Sequence, residues 1–156
     1  MALITQAEFE RRVGPRSVAT YLDDDGDGVA DADRVTEVLE EASAIVVGIL
    51  LGSFSTAQVT NLAANDYALR GAVSDVAADL MARRRPELLS ADGTTPYTSW
   101  RKSAEAVLER IARAERRAGA EATQGTNKNL RGRVNIDPPQ FTFAASKGNS
   151  QGPGGY

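Results

Sequence analysis

Asp23, Asp25 and Asp27, followed by Gly28 and Asp31, place a carboxylate at alternate positions around a glycine turn. Hard cations such as calcium take about six to eight oxygen ligands, and a D-x-D-x-D-G-x-x-D loop supplies several from one short stretch. The pattern departs from a complete EF-hand at its end. Arg34 stands where that motif needs a bidentate glutamate, Asp33 is one position out of register, and Glu37 comes too late. Two readings follow: a weak calcium loop built on Asp23, Asp25, Asp27 and Asp31, or an acidic turn and helix cap holding no metal. The chain has no cysteine and no histidine, which excludes disulfides, thiolate chemistry and imidazole bases or ligands. No nucleophile–base pair, phosphate-cradling glycine loop or catalytic carboxylate pair stands out. The sequence reads as a non-enzyme, with weakly held Ca2+ as its one candidate cofactor.

Arg83-Arg84-Arg85 and the arginines at 110, 113, 116 and 117 have the charge to contact phosphate. They lack interleaved aromatic residues for base stacking, and no DNA-reading helix motif accompanies them. A solvated or intersubunit face suits them better, while a DNA-binding packaging accessory stays open as an alternative. The charge is split along the chain. Residues 1–52 hold four arginines against eleven acids, or −7, and the remainder carries +4, giving −3 overall. Such a division suits head-to-tail contact between copies, or simply an acidic loop and solvated helix faces.

These residues need helices to hold them. Thr5 and Glu8 have capping-box spacing ahead of a short helix that Gly14-Pro15 ends, and Ser17–Leu22 reads as one further turn. After the aspartates, Val35, Val38, Leu39, Ala42, Ile45, Ile49 and Leu50 recur at helical spacing over 32–51, with Glu37, Glu40 and Glu41 opposite. This is expected to be the central helix, capped by Asp31 or Asp33 and closed by a left-handed Gly52. Ser55 and Gln58 open a second long helix, 56–85, stopped by Pro86. Within it Asp66 falls on the apolar stripe, and Arg70 is its expected ion-pair partner. Gly71 marks a bend or a close backbone approach. An Asp92-Gly93 turn precedes a third helix, 96–117, begun by Thr95-Pro96 and stopped at Gly119. Leu39, Ile49, Leu62, Val76, Leu80, Trp100, Val107 and Leu108 are the expected core. The expectation is all-α: three long helices and a short N-terminal one over residues 1–118. An extended C-terminal arm, 119–156, follows.

The arm is rich in Gly, Asn, Gln, Ser, Thr and Pro and loses the helical period. Arg131–Ile136 and Gln140–Ala145 read as short strands, with Phe141 and Phe143 on one side. Backbone pairing to a partner, anchored by Val134, Ile136, Phe141 and Phe143 and rimmed by Arg131 and Arg133, is the expected use. No signal-peptide pattern and no membrane-length apolar run occurs, so a cytoplasmic origin is expected.

The opening MALITQAEFERRVG, the stretch LDDDGDGVADADRVTEVLEEASAIVVGILLG, and the helices VTNLAANDYALRGAVSDVAADL and YTSWRKSAEAVLERIARAE together resemble the small head–tail connector, or adaptor, proteins of Mu-like tailed phages. Leu51-Gly52-Ser53 departs from the family pattern, where a more aromatic or basic segment is expected, and the tail is not specified by it. The resemblance, over about residues 1–118, implies a structural virion protein in the phage neck, assembled in the bacterial cytoplasm. It implies a ring of about twelve copies below the portal, docking a tail-side stopper or terminator protein. Genomic DNA would pass through without specific binding, helped by an acidic lining.

Overall fold

The computed structural model describes residues 1–131, with side-chain surroundings through residue 118. Among the described residues the secondary structure is helical throughout: α1 (Gln6–Val13), α2 (Pro15–Leu22), α3 (Ala32–Leu50), α4 (Thr56–Asn65), α5 (Tyr67–Arg83), a single 3-10 turn (Pro86–Leu88) and α6 (Thr98–Arg131).

α1 starts as its sequence dictates. The Glu8 amide donates to the Thr5 hydroxyl, and the Thr5 amide donates back to the Glu8 carboxylate at 2.9 Å. Gly14, at φ 96, turns the chain directly into α2, which is two turns long where one was expected. At the end of α3, Gly52 does not take up the expected left-handed conformation. Leu51 continues right-handed, and the Ser53 and Phe54 amides donate to the Leu50 carbonyl, satisfying the helix end without glycine geometry.

The expected helix 56–85 is two helices. Asp66 is extended, at φ −108 and ψ 112, and its carboxylate accepts the Ala68 and Leu69 amides as the N-cap of α5. The expected Asp66–Arg70 pair therefore does not form. Arg70 bonds Glu8 of α1 at 2.8 Å instead. α5 continues through Gly71, which admits no close neighbour, since a Cβ there would meet nothing within 4 Å.

The centre of the molecule is α5, not α3. Ala72, Val73, Ser74, Asp75, Val76, Ala77, Ala78, Asp79, Met81 and Ala82 are all buried, which covers every side of the helix. α3 and α6 flank it, and α1 packs across its N-terminal half. The core contains Leu39, Val76 and Leu108 as expected, together with Phe9, Leu22, Val35, Val46, Leu50, Leu69, Val73 and Met81. Leu62, Leu80, Trp100 and Val107 pack at its edge half-buried, and Ile49 is 42% exposed. The connection from α5 to α6 folds back so that Thr95, just before α6, donates to Asp79 near the end of α5 at 2.5 Å, and the two packed helices run antiparallel. The Arg84–Glu37 ion pair likewise sets the N-terminus of α3 beside the C-terminus of α5. α3 and α6 thus point the same way. α6 does not stop at Gly119: Ala112 is its last buried residue among those whose surroundings are described, through 118, and its backbone continues helical to Arg131.

Candidate functional site

The aspartate loop joins α2 to α3 and is folded around its own backbone amides. Asp23 accepts from the amides of Gly26 at 2.6 Å and Gly28 at 2.8 Å, Asp25 from Asp27 at 3.2 Å, and Asp27 from Val29 at 2.7 Å. Gly26 and Gly28 take φ of 79 and 84, the region where a side chain would be strained. This winding brings carboxylate oxygens of Asp23, Asp25 and Asp27 within 4.8 Å of one another. Asp31 is not brought into that group. Its Oδ2 accepts the Asp24 amide at 2.9 Å and its own amide donates to Leu22, pinning the two ends of the loop together. Nor does Asp31 bond the amides of α3, so the expected side-chain cap is absent.

The electrostatics follow from this geometry. The Gly28 amide, against partial desolvation and aided by the Gly26 and Asp27 amides and Asp25, holds the Asp23 carboxyl below the usual aspartate value. Asp25 sits above it: the Asp27 amide pulls downward, but Asp27, desolvation, Asp23 and Asp31 together outweigh that pull. A cation placed between Asp23, Asp25 and Asp27 would relieve this repulsion. Three carboxylates at an exposed loop fit a hard cation, though they supply fewer oxygens than calcium fully coordinated requires.

Arginines surround the loop, and sequence reasoning missed them as its supports. Arg34, in the place of an EF-hand glutamate, bonds Asp24 at 3.0 Å and Glu37 at 3.2 Å. Arg84 reaches the same Glu37 at 2.6 Å, and Arg85 donates to the Asp23 carbonyl at 2.6 Å and to Asp24 at 3.3 Å. Arg84 first and Arg34 second hold the Glu37 carboxyl below its ordinary range, while Glu37 and then Asp24 raise Arg34. Asp24, Asp25, Asp31, Asp33, Arg34 and Glu37 line an open cleft of about 580 Å³ beside the loop. The run Arg83-Arg84-Arg85 is therefore engaged internally, Arg83 with the buried Asp79 at 2.9 Å. On α6, Arg113 pairs with Glu109 at 2.6 Å, and Arg110, Arg116 and Arg117 lie on the exposed face.

One further ion pair and two cation–π contacts were not foreseen. Asp75, inside the core, accepts two hydrogen bonds from Arg12, whose guanidinium also lies 5.4 Å from the Trp100 ring centroid. Beside it, Arg70 stacks 4.3 Å from the exposed Tyr67 ring. The available signal was a pair of aspartates, 75 and 79, one helical turn apart within an alanine-rich stretch.

Of the arm residues expected to bind a partner, Arg131 ends α6 as helix rather than beginning a strand. Arg133, Val134, Ile136, Phe141 and Phe143 lie outside the described residues. No helix of the described residues is long and apolar enough to cross a membrane. Compared with known proteins, the chain matches no family model, no curated protein and no solved structure.

Proposed function

We propose that this chain is a structural assembly protein of a tailed phage, a head–tail connector that forms a ring below the portal and docks the tail machinery. The observation that carries this reading is α6. It begins in the core, is exposed from Arg113 to residue 118, and continues as helix to Arg131, 19 residues beyond Ala112 or about 28 Å at 1.5 Å per residue. A helix of this length, exposed over residues 113–118 beyond its last packed turn, offers an element that can reach another molecule. The resemblance of residues 1–118 to Mu-like phage connectors supplies the identity of the assembly. The acidic loop, anchored by arginines, gives a ring of such proteins a negative surface along which DNA slides without adhering. Deleting residues 120–156, which removes the far part of α6 with the arm, is the test. The truncated protein should stay folded while heads fail to join tails, and infectious particles at normal yield would refute the proposal.

The convergence of Asp23, Asp25 and Asp27 favours a second reading, a calcium-binding interaction module. With no acidic residue at position 34, the expected dissociation constant is on the order of 0.1–1 mM. Isothermal titration of the free protein measures it. Binding in that range would support the calcium reading, submicromolar binding would contradict the weak-loop expectation, and a melting temperature indifferent to millimolar calcium would leave the loop as a metal-free helix entry.

A further inference from the structure

We propose that an apolar patch at the C-terminal end of α3 receives the Phe141–Phe143 segment of a second copy of this chain. Residues 44–52, AIVVGILLG, carry no charge, and Ala44, Gly48, Ile49, Leu51 and Gly52 are exposed. Ile49 and Leu51 are 42% and 52% accessible. At about 100° per residue, Gly48 falls between Ile49 and Leu51 around the helix. A Cβ on Gly48 or Gly52 would meet nothing within 4 Å. The result is an uncharged, exposed apolar patch with open space over both glycines, against which a flat aromatic ring can lie.

The length of chain beyond α6, and the place where that helix ends, identify the occupant. α3 and α6 point the same way, so the patch lies at the end of the bundle from which α6 emerges. α6 carries the chain about 28 Å past Ala112 before residue 132. Phe141 follows Arg131 by ten residues, a reach of at most about 33–36 Å. Returning to its own patch would consume nearly that whole reach in retracing the helix. The patch of a neighbouring copy requires no such return. The occupant is also the most apolar part of the arm: Phe141 and Phe143 share a side when the chain is extended, and Pro138-Pro139 favours extension just before them. Among the described residues a second copy offers no strand, so on this partner the arm binds through its aromatic side chains rather than by joining a sheet edge.

The proposal rests on the connector reading only in treating the arm as an intermolecular element, and its test needs no virion. The chain has no native cysteine, so single cysteines report cleanly. Ala44→Cys and Ala145→Cys proteins, full length and separately purified, are mixed and treated with a bis-maleimide. The expected product is a mixed dimer linked from 44 to 145. Adding Leu51→Asp to the first protein, or Phe141→Ala with Phe143→Ala to the second, should lower its yield about tenfold or more. Circular dichroism verifies that each variant is folded; Leu51 is exposed, so its substitution leaves the core intact. A 44-to-44 dimer alone would overturn the proposal in favour of two patches facing each other. An intramolecular link alone, in a protein carrying both cysteines, would overturn it in favour of the chain's own arm. A mixed dimer combined with normal particle yield from the truncated protein would sustain the docking and refute the connector function.

Discussion

Arg12→Ala should cost more than its surface position suggests. Its partner Asp75 has a side chain only 9% exposed, while Arg12 itself is 50% exposed. Two charge-assisted hydrogen bonds, at 3.0 and 3.1 Å, and the contact with Trp100 disappear together. A hydrogen bond to a charged group contributes about 1.5–3 kcal/mol and a partly exposed cation–π contact about 0.5–1. Solvent screening of the half-exposed guanidinium reduces the sum, leaving a loss of about 2 kcal/mol, with the carboxylate left in the core without its cation. In a domain of this size that lowers Tm by roughly 5–10 °C. Asp75→Leu should cost less, because the freed Arg12 turns into water and no charge stays buried. Once Asp75 is Leu, adding Arg12→Ala should cost little more. Urea unfolding of the two single variants and the double variant, followed by far-UV circular dichroism, gives the coupling directly. Equal losses in both singles with additivity in the double would refute the claim that a buried carboxylate makes α1 docking depend on Arg12.

Two other substitutions probe how the elements begin. Asp66→Ala removes the oxygen that accepts the Ala68 and Leu69 amides, so it should destabilise the fold by about 1 kcal/mol in a urea titration. Asp66→Asn, which keeps an acceptor, should recover most of that. Glu8 is held below the usual glutamate value by the Thr5 amide first, with the Thr5 hydroxyl and Arg70 adding to it against desolvation. A lowered folded-state value means its stabilisation is present in full above the ordinary glutamate range and is lost as pH falls through the folded-state value. Glu8→Gln should therefore cost about 1 kcal/mol near neutrality, a modest figure because the side chain is 31% exposed. That difference should vanish in acid, and a gap independent of pH would show that the carboxylate charge is not the cause.

Local chemistry was legible in the sequence where one side of an element faces water. α3 alternates apolar and acidic residues at helical spacing, so its extent was readable to within one residue, and the capping boxes at Thr5 and Ser55 fixed two helix starts. α5 defeated the same reasoning because it has no solvent face. A helix buried on all sides shows no periodic contrast, and small residues such as Ala72, Ser74, Ala77 and Ala78 suggest a weak stripe rather than a centre. Asp66 was misread for a related reason: an aspartate at a helix start and one within a continuous helix look alike until the backbone turn between α4 and α5 is known. Gly119 failed as a stop because a mid-helix glycine costs only about 1 kcal/mol, which the surrounding Ala, Glu and Arg residues offset.

The aspartate loop shows how a motif can keep its winding while its closure changes. The alternating aspartates and two left-handed glycines still wrap the chain around its own amides. At the position where a calcium loop ends in a carboxylate that closes over the ion, Arg34 instead extends to Asp24 and Glu37. Arg84 and Arg85 complete the closure from the end of α5, one on Glu37 and the other on the Asp23 carbonyl. Guanidinium groups thus bring positive charge to Asp24 and Glu37 beside the loop, and they tie α2, α3 and α5 together at one end of the bundle. A cation bound by Asp23, Asp25 and Asp27 would relieve the repulsion that holds the Asp25 carboxyl above its usual value. The price of that arrangement is a site with too few free oxygens for tight binding. Its consequence is local: guanidinium groups hold Asp24 and Glu37, which leaves Asp23, Asp25 and Asp27 as the carboxylates grouped for a cation.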